Sequence, residues 1–266
     1  MKNMTTYHTH TAWSDGAAPL PAMCDAAAGA GVAEFGVSDH YVLLPSGHDV
    51  DWAMPLGFLD GYVAQVRDYI EMETRFALRL GLEADFFPET IGDLSARLEA
   101  HPFDYVIGSV HILDGFPIDA DPSYWVPLSE SERNTVWQGY LARMCGMAQS
   151  GVFDIAGHLD LPKKFGDQPT VDLSADFAAA LDAIAAADMA LELNTAGWDK
   201  PVAEAYPTLA LLREARRRGI PLVITADAHA PAELTRHYPR AVALAREAGY
   251  TAQARFAGRK RVEVAL

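Results

Sequence analysis

The sequence is poor in the features that mark several large classes of protein. No apolar run approaches the roughly 20 residues a helix needs to cross a bilayer. The opening stretch MKNMTTYHTH has no apolar centre of the kind a secretory leader carries. Only two cysteines occur in 266 residues, Cys24 and Cys145, too few for a disulfide framework, so a reduced, cytoplasmic setting is expected. Basic residues are outnumbered, 21 Lys and Arg against 36 Asp and Glu, which leaves a formal net charge of −15. Such a chain is ill suited to nonspecific nucleic-acid binding, which depends on cations that displace counterions from phosphate. It is equally ill suited to an anionic membrane surface. Low-complexity tracts and solenoid periods are lacking as well.

Half of the residues are hydrophobic, enough for one large core. The length is short for two enzyme domains at roughly 100–200 residues each, so a single domain over 1–266 is expected. Strand-like runs lie at Thr5–His10, Glu34–Ser38, Arg79–Ala84, Tyr105–Val110, Asp154–Ala156, Ala190–Asn194 and Leu222–Thr225. Several are nearly all apolar, as strands buried on both faces must be. Helical patterns fall between them: Leu59, Val63, Val66 and Ile70 share one face, as do Phe177, Leu181 and Ile184. Ser129-Glu130-Ser131-Glu132 predicts a capping box that opens the helix bearing Val136, Tyr140 and Met144. Gly219 predicts the stop of a helix over Leu209–Arg218. Seven βα units in series point to an α/β fold with a parallel sheet closed, or nearly closed, into a barrel; an open doubly wound sheet is the alternative. Two long segments, Tyr41–Gly57 and Ile112–Leu128, follow strands and are rich in Pro and Gly, which suits lids or substrate walls as well as peripheral insertions.

The histidines carry the chemical signal. Six of the nine sit at or just beyond the end of a strand-like run: His8 and His10 in YHTH, His40 in GVSDH, His111 in VIGSVH, His158 in IAGH and His229 in VITADAH. Asp15, Glu83 and Asp227 occupy equivalent places. In a βα barrel every strand opens at its carboxyl end onto one face, so these residues, more than 200 positions apart at the extremes, would converge there. Imidazoles and carboxylates packed together are expensive to bury unless something neutralises them. Divalent cations do so, and both groups are ordinary ligands for zinc, manganese and iron. Nine candidates are too many for one cation and suit two or three. A single strand-end histidine is more often structural, and His48, His101 and His237 are read that way. Asp39 is expected to orient or cap, and Asp85 to be structural.

At these motifs the sequence resembles the polymerase-and-histidinol-phosphatase (PHP) superfamily, and within it the histidinol-phosphate phosphatase branch. The resemblance covers nearly the whole chain, through YHTHTAWSDG, GVSDH, GLEADFFP, DYVIGSVH followed by FPID, GHLDLPKKFG, LELNTAG and ITADAH. It implies a distorted (β/α)7 TIM-like barrel with a trinuclear site. One metal would take His8, His10, Glu83 and Asp227; a second would share Glu83 and add His111 and His158; the third would take Asp15, His40 and His229. Where relatives often continue NTAGLRKP, this chain has Asn194-Thr195-Ala196-Gly197-Trp198-Asp199-Lys200-Pro201, which places an acid at an expected arginine.

The implied activity is hydrolysis of a phosphate monoester, L-histidinol phosphate first among candidates, by water that bound cations have deprotonated. Lys163, Lys164 and Lys200 follow strands and are candidate phosphate contacts. Trp52, Trp125 and Phe116 are candidate walls for the organic half of the substrate. His229, a water and Asp119 are candidate donors to the leaving alkoxide. Rival readings are a nuclease or other phosphoesterase, an amidohydrolase-type binuclear hydrolase, and a noncatalytic metal-dependent binding module.

Overall fold

The computed structural model describes residues 3–266. Its strands are β1 (Thr5–Thr6), β2 (Glu34–Val37), β3 (His40–Tyr41), β4 (Ala77–Asp85), β5 (Tyr105–Ser109), β6 (Ile112–Leu113), β7 (Phe116–Pro117), β8 (Ile155–Ala156), β9 (Ala190–Asn194), β10 (Leu222–Thr225), β11 (Ala252–Ala257) and β12 (Lys260–Ala265). The α-helices are α1 (Leu20–Gly29), α2 (Leu59–Met72), α3 (Ile91–Glu99), α4 (Glu130–Gln149), α5 (Ser174–Ala186), α6 (Leu209–Arg217) and α7 (Tyr238–Glu247). Parallel strands run in the order β1-β2-β4-β5-β8-β9-β10, and the seven helices alternate with them along the chain. β3 resumes the line of β2 beside β4: Val37 pairs with Leu80 and His40 with Glu83, the same offset on either side of Ser38-Asp39.

The sheet is a nearly closed barrel. Between β1 and β10 the seam is joined by an isolated parallel bridge from Thr9 to Ala228. There the His10 amide donates to Ala228 O at 2.9 Å and the Ala228 amide to His8 O at 3.2 Å. Inside the barrel lies a small buried cluster that includes Tyr7, Tyr105, Ile107, Ile155 and Val223. Tyr105 has room because β2 and β4 carry glycine there; a Cβ on Gly81 would stand 2.1 Å from its ring and one on Gly36 would stand 2.3 Å from its hydroxyl. The larger core fills the space between strands and helices, with Trp137, Tyr140 and Met144 of α4 buried in it. The predicted capping box is present, Ser129 accepting from the Glu132 amide and Glu132 from the Ser129 amide. Gly219 takes φ +74° beyond α6, as a helix stop requires.

The floor of the barrel is closed by a β11–β12 hairpin that the strand pattern did not predict. The Phe256 amide donates to the Tyr7 hydroxyl at 3.0 Å. Gln253 donates to Asn3 O and the Tyr238 hydroxyl. Gly258 and Arg259 reach Asp104 ahead of β5, and Arg259 also pairs with Asp154 ahead of β8. No helix among the described residues is long and apolar enough to cross a membrane.

Candidate metal centre

Alternation along the first strand line turns His8 and His10 to the same side, their ring centroids 5.1 Å apart. His10 is stacked between His40, at 4.1 Å, and His229, at 4.2 Å. Glu83 lies at the centre, fully buried in the fourth strand. One of its oxygens is 2.9 Å from His8 Nε2, 2.8 Å from His40 Nδ1 and 3.5 Å from His10 Nε2. The other is 3.2 Å from His158 Nε2 and 3.5 Å from His111 Nε2, and accepts a hydrogen bond from Ser109 Oγ at 2.6 Å. All nine candidates from the sequence fall into four overlapping groups able to hold a metal ion: His10, Asp15, His40 and His229; His8, His10 and Asp227; His8, Glu83 and His158; His40, Glu83 and His111. His48, His101 and His237 join none of these groups among the described residues.

The donor set fits cations and little else. His8 Nε2, both nitrogens of His10, His40 Nδ1, His158 Nδ1 and Glu83 Oε2 are buried and make no hydrogen bond among the described residues, although His8, His10 and His40 stand at ion-pair distance from Glu83 Oε2. Leaving so many polar atoms buried and unpaired would cost about 1–3 kcal/mol each, which a ligated divalent ion removes. Electrostatics agree. Burial disfavours a charge on His8, yet Glu83, Asp227 and Glu192 overcome it and hold that imidazole well above the ordinary range. Against its own burial His111 is raised to about 10 by Asp85 and Glu83. His229, likewise opposed by burial, is raised to about 9 by Asp15 and Asp227. Burial and the flanking His40 and His229 push His10 down to about 3. Burial would raise Glu83 and Asp227, but the surrounding imidazoles hold both carboxyls well below the usual range. The carboxylates draw protons onto some rings, while burial and neighbouring imidazoles expel one from His10, and cations would substitute for the bound protons.

Other buried acids orient the rings. Asp39 accepts from the Thr11 amide and hydroxyl and from the Ser14 amide and hydroxyl at 2.7–3.2 Å, which shapes the turn leading to Asp15. Asp85 takes both the His111 amide, at 3.0 Å, and His111 Nδ1, at 2.7 Å, so it positions that ring as well as the strand end. Glu192 was not singled out in the sequence. It stands 2.5 Å from His8 Nδ1 and accepts from the His158 amide at 2.7 Å and the Thr225 hydroxyl at 2.7 Å. Its one visible signal was an acid within the apolar strand ALELN. Asn194, two residues on, donates to Asp227 at 3.1 Å. Paired this way, each ring nitrogen facing the carboxylate outside leaves the other facing the cluster.

A cavity of about 450 Å³ opens over the cluster, lined by Asp15, His40, His111, His158, Asp227 and His229 together with Trp52, Asp119, Lys164, Lys200 and Arg236. The candidate phosphate contacts divide here. Lys164 lines the cavity, its ammonium bonded to the Asp119 carboxylate at 2.9 Å and the Asp119 carbonyl at 2.6 Å. Lys200 also lines it, with no ion-pair partner among the described residues. Lys163 is corrected: it is buried, and its three N–H donors go to Asp160 at 2.8 Å, Glu204 at 2.9 Å and Ala205 O at 2.8 Å. Trp125 and Phe116 are corrected as substrate walls. Trp125 is buried beneath the second long loop, its indole donating to Ile118 O, and Phe116 packs on it edge to face. Trp52 lines the cavity, edge-on to His40 and His111. Burial raises Asp119, but His111 and Lys164 hold it below its ordinary range, so at neutral pH it is an acceptor and not a proton donor.

Comparison with known proteins converges on one group. A family model described as "PHP domain" matches residues 6–196. A protein of Deinococcus radiodurans named "Probable histidinol-phosphatase" is 40% identical over 254 residues, 94% of this chain and 95% of that one. A "Histidinol-phosphatase" of Lactococcus lactis is 25% identical over 265 residues, 96% of this chain and 94% of that one. Among solved structures, histidinol phosphate phosphatase of Lactococcus lactis, complexed with zinc, L-histidinol and phosphate, superposes with a TM-score of 0.81. It covers 98% of this chain and 99% of that chain at 21% identity, a likeness of fold.

Proposed function

This chain belongs to the PHP domain family, and on that footing we propose that it is a phosphoric monoester hydrolase converting L-histidinol phosphate to L-histidinol and phosphate. The observation that carries this reading is the set of buried imidazole nitrogens without partners gathered around Glu83 beneath a cavity edged with cations. The names of the relatives support the substrate. An amidohydrolase site has no need of Asp15, His40 and His229, yet these residues stand together here.

The proposed ligands are His8, His10, Glu83 and Asp227; Glu83, His111 and His158; and Asp15, His40 and His229. The four overlapping groups support two to three divalent ions, of zinc, manganese or iron. When bound, such ions supply Lewis acidity toward phosphoryl oxygens and lower the pKa of water. Glu83, touched by five imidazoles, holds the donor sets at fixed separation. Glu192 and Asp85 fix which nitrogen of His8 and His111 is presented. Lys200 brings to the cavity wall a positive charge that is unpaired among the described residues, and Lys164 one that is matched by Asp119; with divalent ions bound, the local field would favour a phosphate despite the −15 of the chain. Trp52 bounds the same space. The proposed unit of activity is one domain over residues 1–266, acting in the cytoplasm on a small phosphorylated molecule; the free thiols Cys24 and Cys145 fit a reducing setting.

The test is phosphate release from a panel of monoesters that includes L-histidinol phosphate, with cleavage of an oligonucleotide diester measured beside it, by protein loaded in turn with zinc, manganese and iron. The highest kcat/KM is expected for L-histidinol phosphate. Equal rates across the monoesters would make the protein a general phosphatase, and no release by fully loaded protein would defeat the proposal.

A further inference from the structure

We propose that Arg236 is a positioning residue that sets the backbone carrying Asp227 and His229, and that Asp199 acts on this arm of the metal centre rather than on the substrate. The inference rests on the reading of Asp227 and His229 as ligands.

Arg236 reaches back from the segment after the last barrel strand. Its Nε donates to Ala226 O at 2.9 Å, and its Nη2 donates to Ala226 O and Asp227 O, each at 2.7 Å. Glu233, three residues before it, accepts from the His229 amide at 2.7 Å and the Ala230 amide at 3.2 Å. The arch from Ala226 to Ala230 is therefore gripped at its carbonyls by a guanidinium and at its amides by a carboxylate. Such a grip has a purpose at Asp227. Its φ of +49° is in the left-handed region, which an aspartate enters at a steric penalty and keeps only when its surroundings dictate it.

The guanidinium is itself held. Nη1 stands 3.4 Å from Glu233 and 3.7 Å from Asp199. Asp199 in turn bonds His237 Nε2 at 2.7 Å, beside Arg236 in the chain. A planar fork with two nitrogens committed to carbonyls and the third faced by two carboxylates is spent on structure. Arg236 borders the cavity, but its charge is matched from within, whereas Lys200 beside it is unpaired among the described residues. The acid at position 199, which would repel a phosphate if it faced the cavity, instead faces Arg236 and His237.

The test compares wild type with Arg236→Met and Arg236→Lys. Hydrogen exchange of residues 228–230 in metal-free protein reads the arch directly, and competition with a chelator reads affinity for zinc and manganese. Arg236→Met is expected to speed exchange across 228–230 at least tenfold and weaken metal affinity about 10- to 100-fold. KM for a phosphate monoester should change less than threefold. Arg236→Lys, which can still donate to one carbonyl, should recover part of both losses, and it carries the test if the methionine variant does not fold. Asp199→Ala should shift both readouts the same way by less. Exchange within twofold of wild type in Arg236→Met, or in Arg236→Lys where the methionine variant does not fold, would overturn the proposal, as would a raised KM with metal affinity intact. Failure of the wild type to bind divalent ions would instead refute the functional reading, while the exchange data would still judge the arch.

Discussion

Replacing Glu83 by glutamine tests the centre at its hub. The amide has nearly the same volume, so no cavity forms and the change is one of charge and donor pattern. The carboxylate it replaces is fully buried, with five imidazole nitrogens at 2.8–3.5 Å and the Ser109 hydroxyl at 2.6 Å. Removing one partner from a buried charge assembly costs about 3–5 kcal/mol. At about 1.4 kcal/mol per factor of ten, that is a loss of roughly 100- to several-thousand-fold in affinity for the ions Glu83 is proposed to share. The amide NH2 also presents protons where lone pairs are needed, so turnover should vanish. Metal content after reconstitution, chelator competition with zinc and manganese, and phosphate release measure the three quantities. Glu83→Gln protein that retains the wild-type number of ions at an affinity within threefold would refute the reasoning.

Other expectations follow from the same geometry. In metal-free protein His111 and His229, raised to about 10 and about 9, carry protons at neutral pH and shed them only as pH climbs through those values, and Glu83, Asp227 and Glu192 shift His8 in the same direction against its burial. Metal uptake must therefore release protons, and affinity should rise with pH from 6 to 8; calorimetry in buffers of different ionisation enthalpy measures this, and a pH-independent affinity would contradict it. Glu192→Gln should weaken metal binding about 10- to 100-fold by freeing the His8 ring, and unchanged chelator competition would argue against that role. Lys200→Ala should raise KM for a phosphate monoester with kcat kept. Lys163→Ala should instead lower the melting temperature, because Asp160 loses its buried partner at a cost of about 3–5 kcal/mol; the opposite pattern in steady-state kinetics and thermal denaturation would reverse the two assignments.

Much of the barrel was legible because strands buried on both faces leave runs such as Ala190–Asn194 and Leu222–Thr225, whose bounds match β9 and β10. The nine candidate ligands were legible for a related reason: strand ends are marked in the sequence, and polar residues placed there converge in a barrel. What escaped depends on partners far along the chain. Glu192 meets His8, His158 and Thr225, and nothing near ALELN announces them. Lys163 and Lys164 are adjacent and identical in type, yet the 3₁₀ turn Leu161–Phe165 sends one inward and one to the cavity. The run Thr5–His10 is ladder-paired only at Thr5 and Thr6, with one bridge at Thr9, whose amide donates to the Ser38 hydroxyl instead of a strand carbonyl. The closing hairpin was missed because its strands alternate weakly and much of β12 is exposed.

That hairpin has a bearing on chemistry at the opposite end of the molecule. A barrel with a single bridge at its last joint behaves like a cask whose hoop is fastened at one point, and the β11–β12 segment is the fastening below, tied to Tyr7, Asn3, Asp104 and Asp154. The staves on either side of that joint end in His8 and His10 and in Asp227 and His229. Removing residues 252–265 is expected to loosen those staves and with them the spacing of candidate ligands the hairpin does not touch, which a weakened metal affinity of the shortened protein would report.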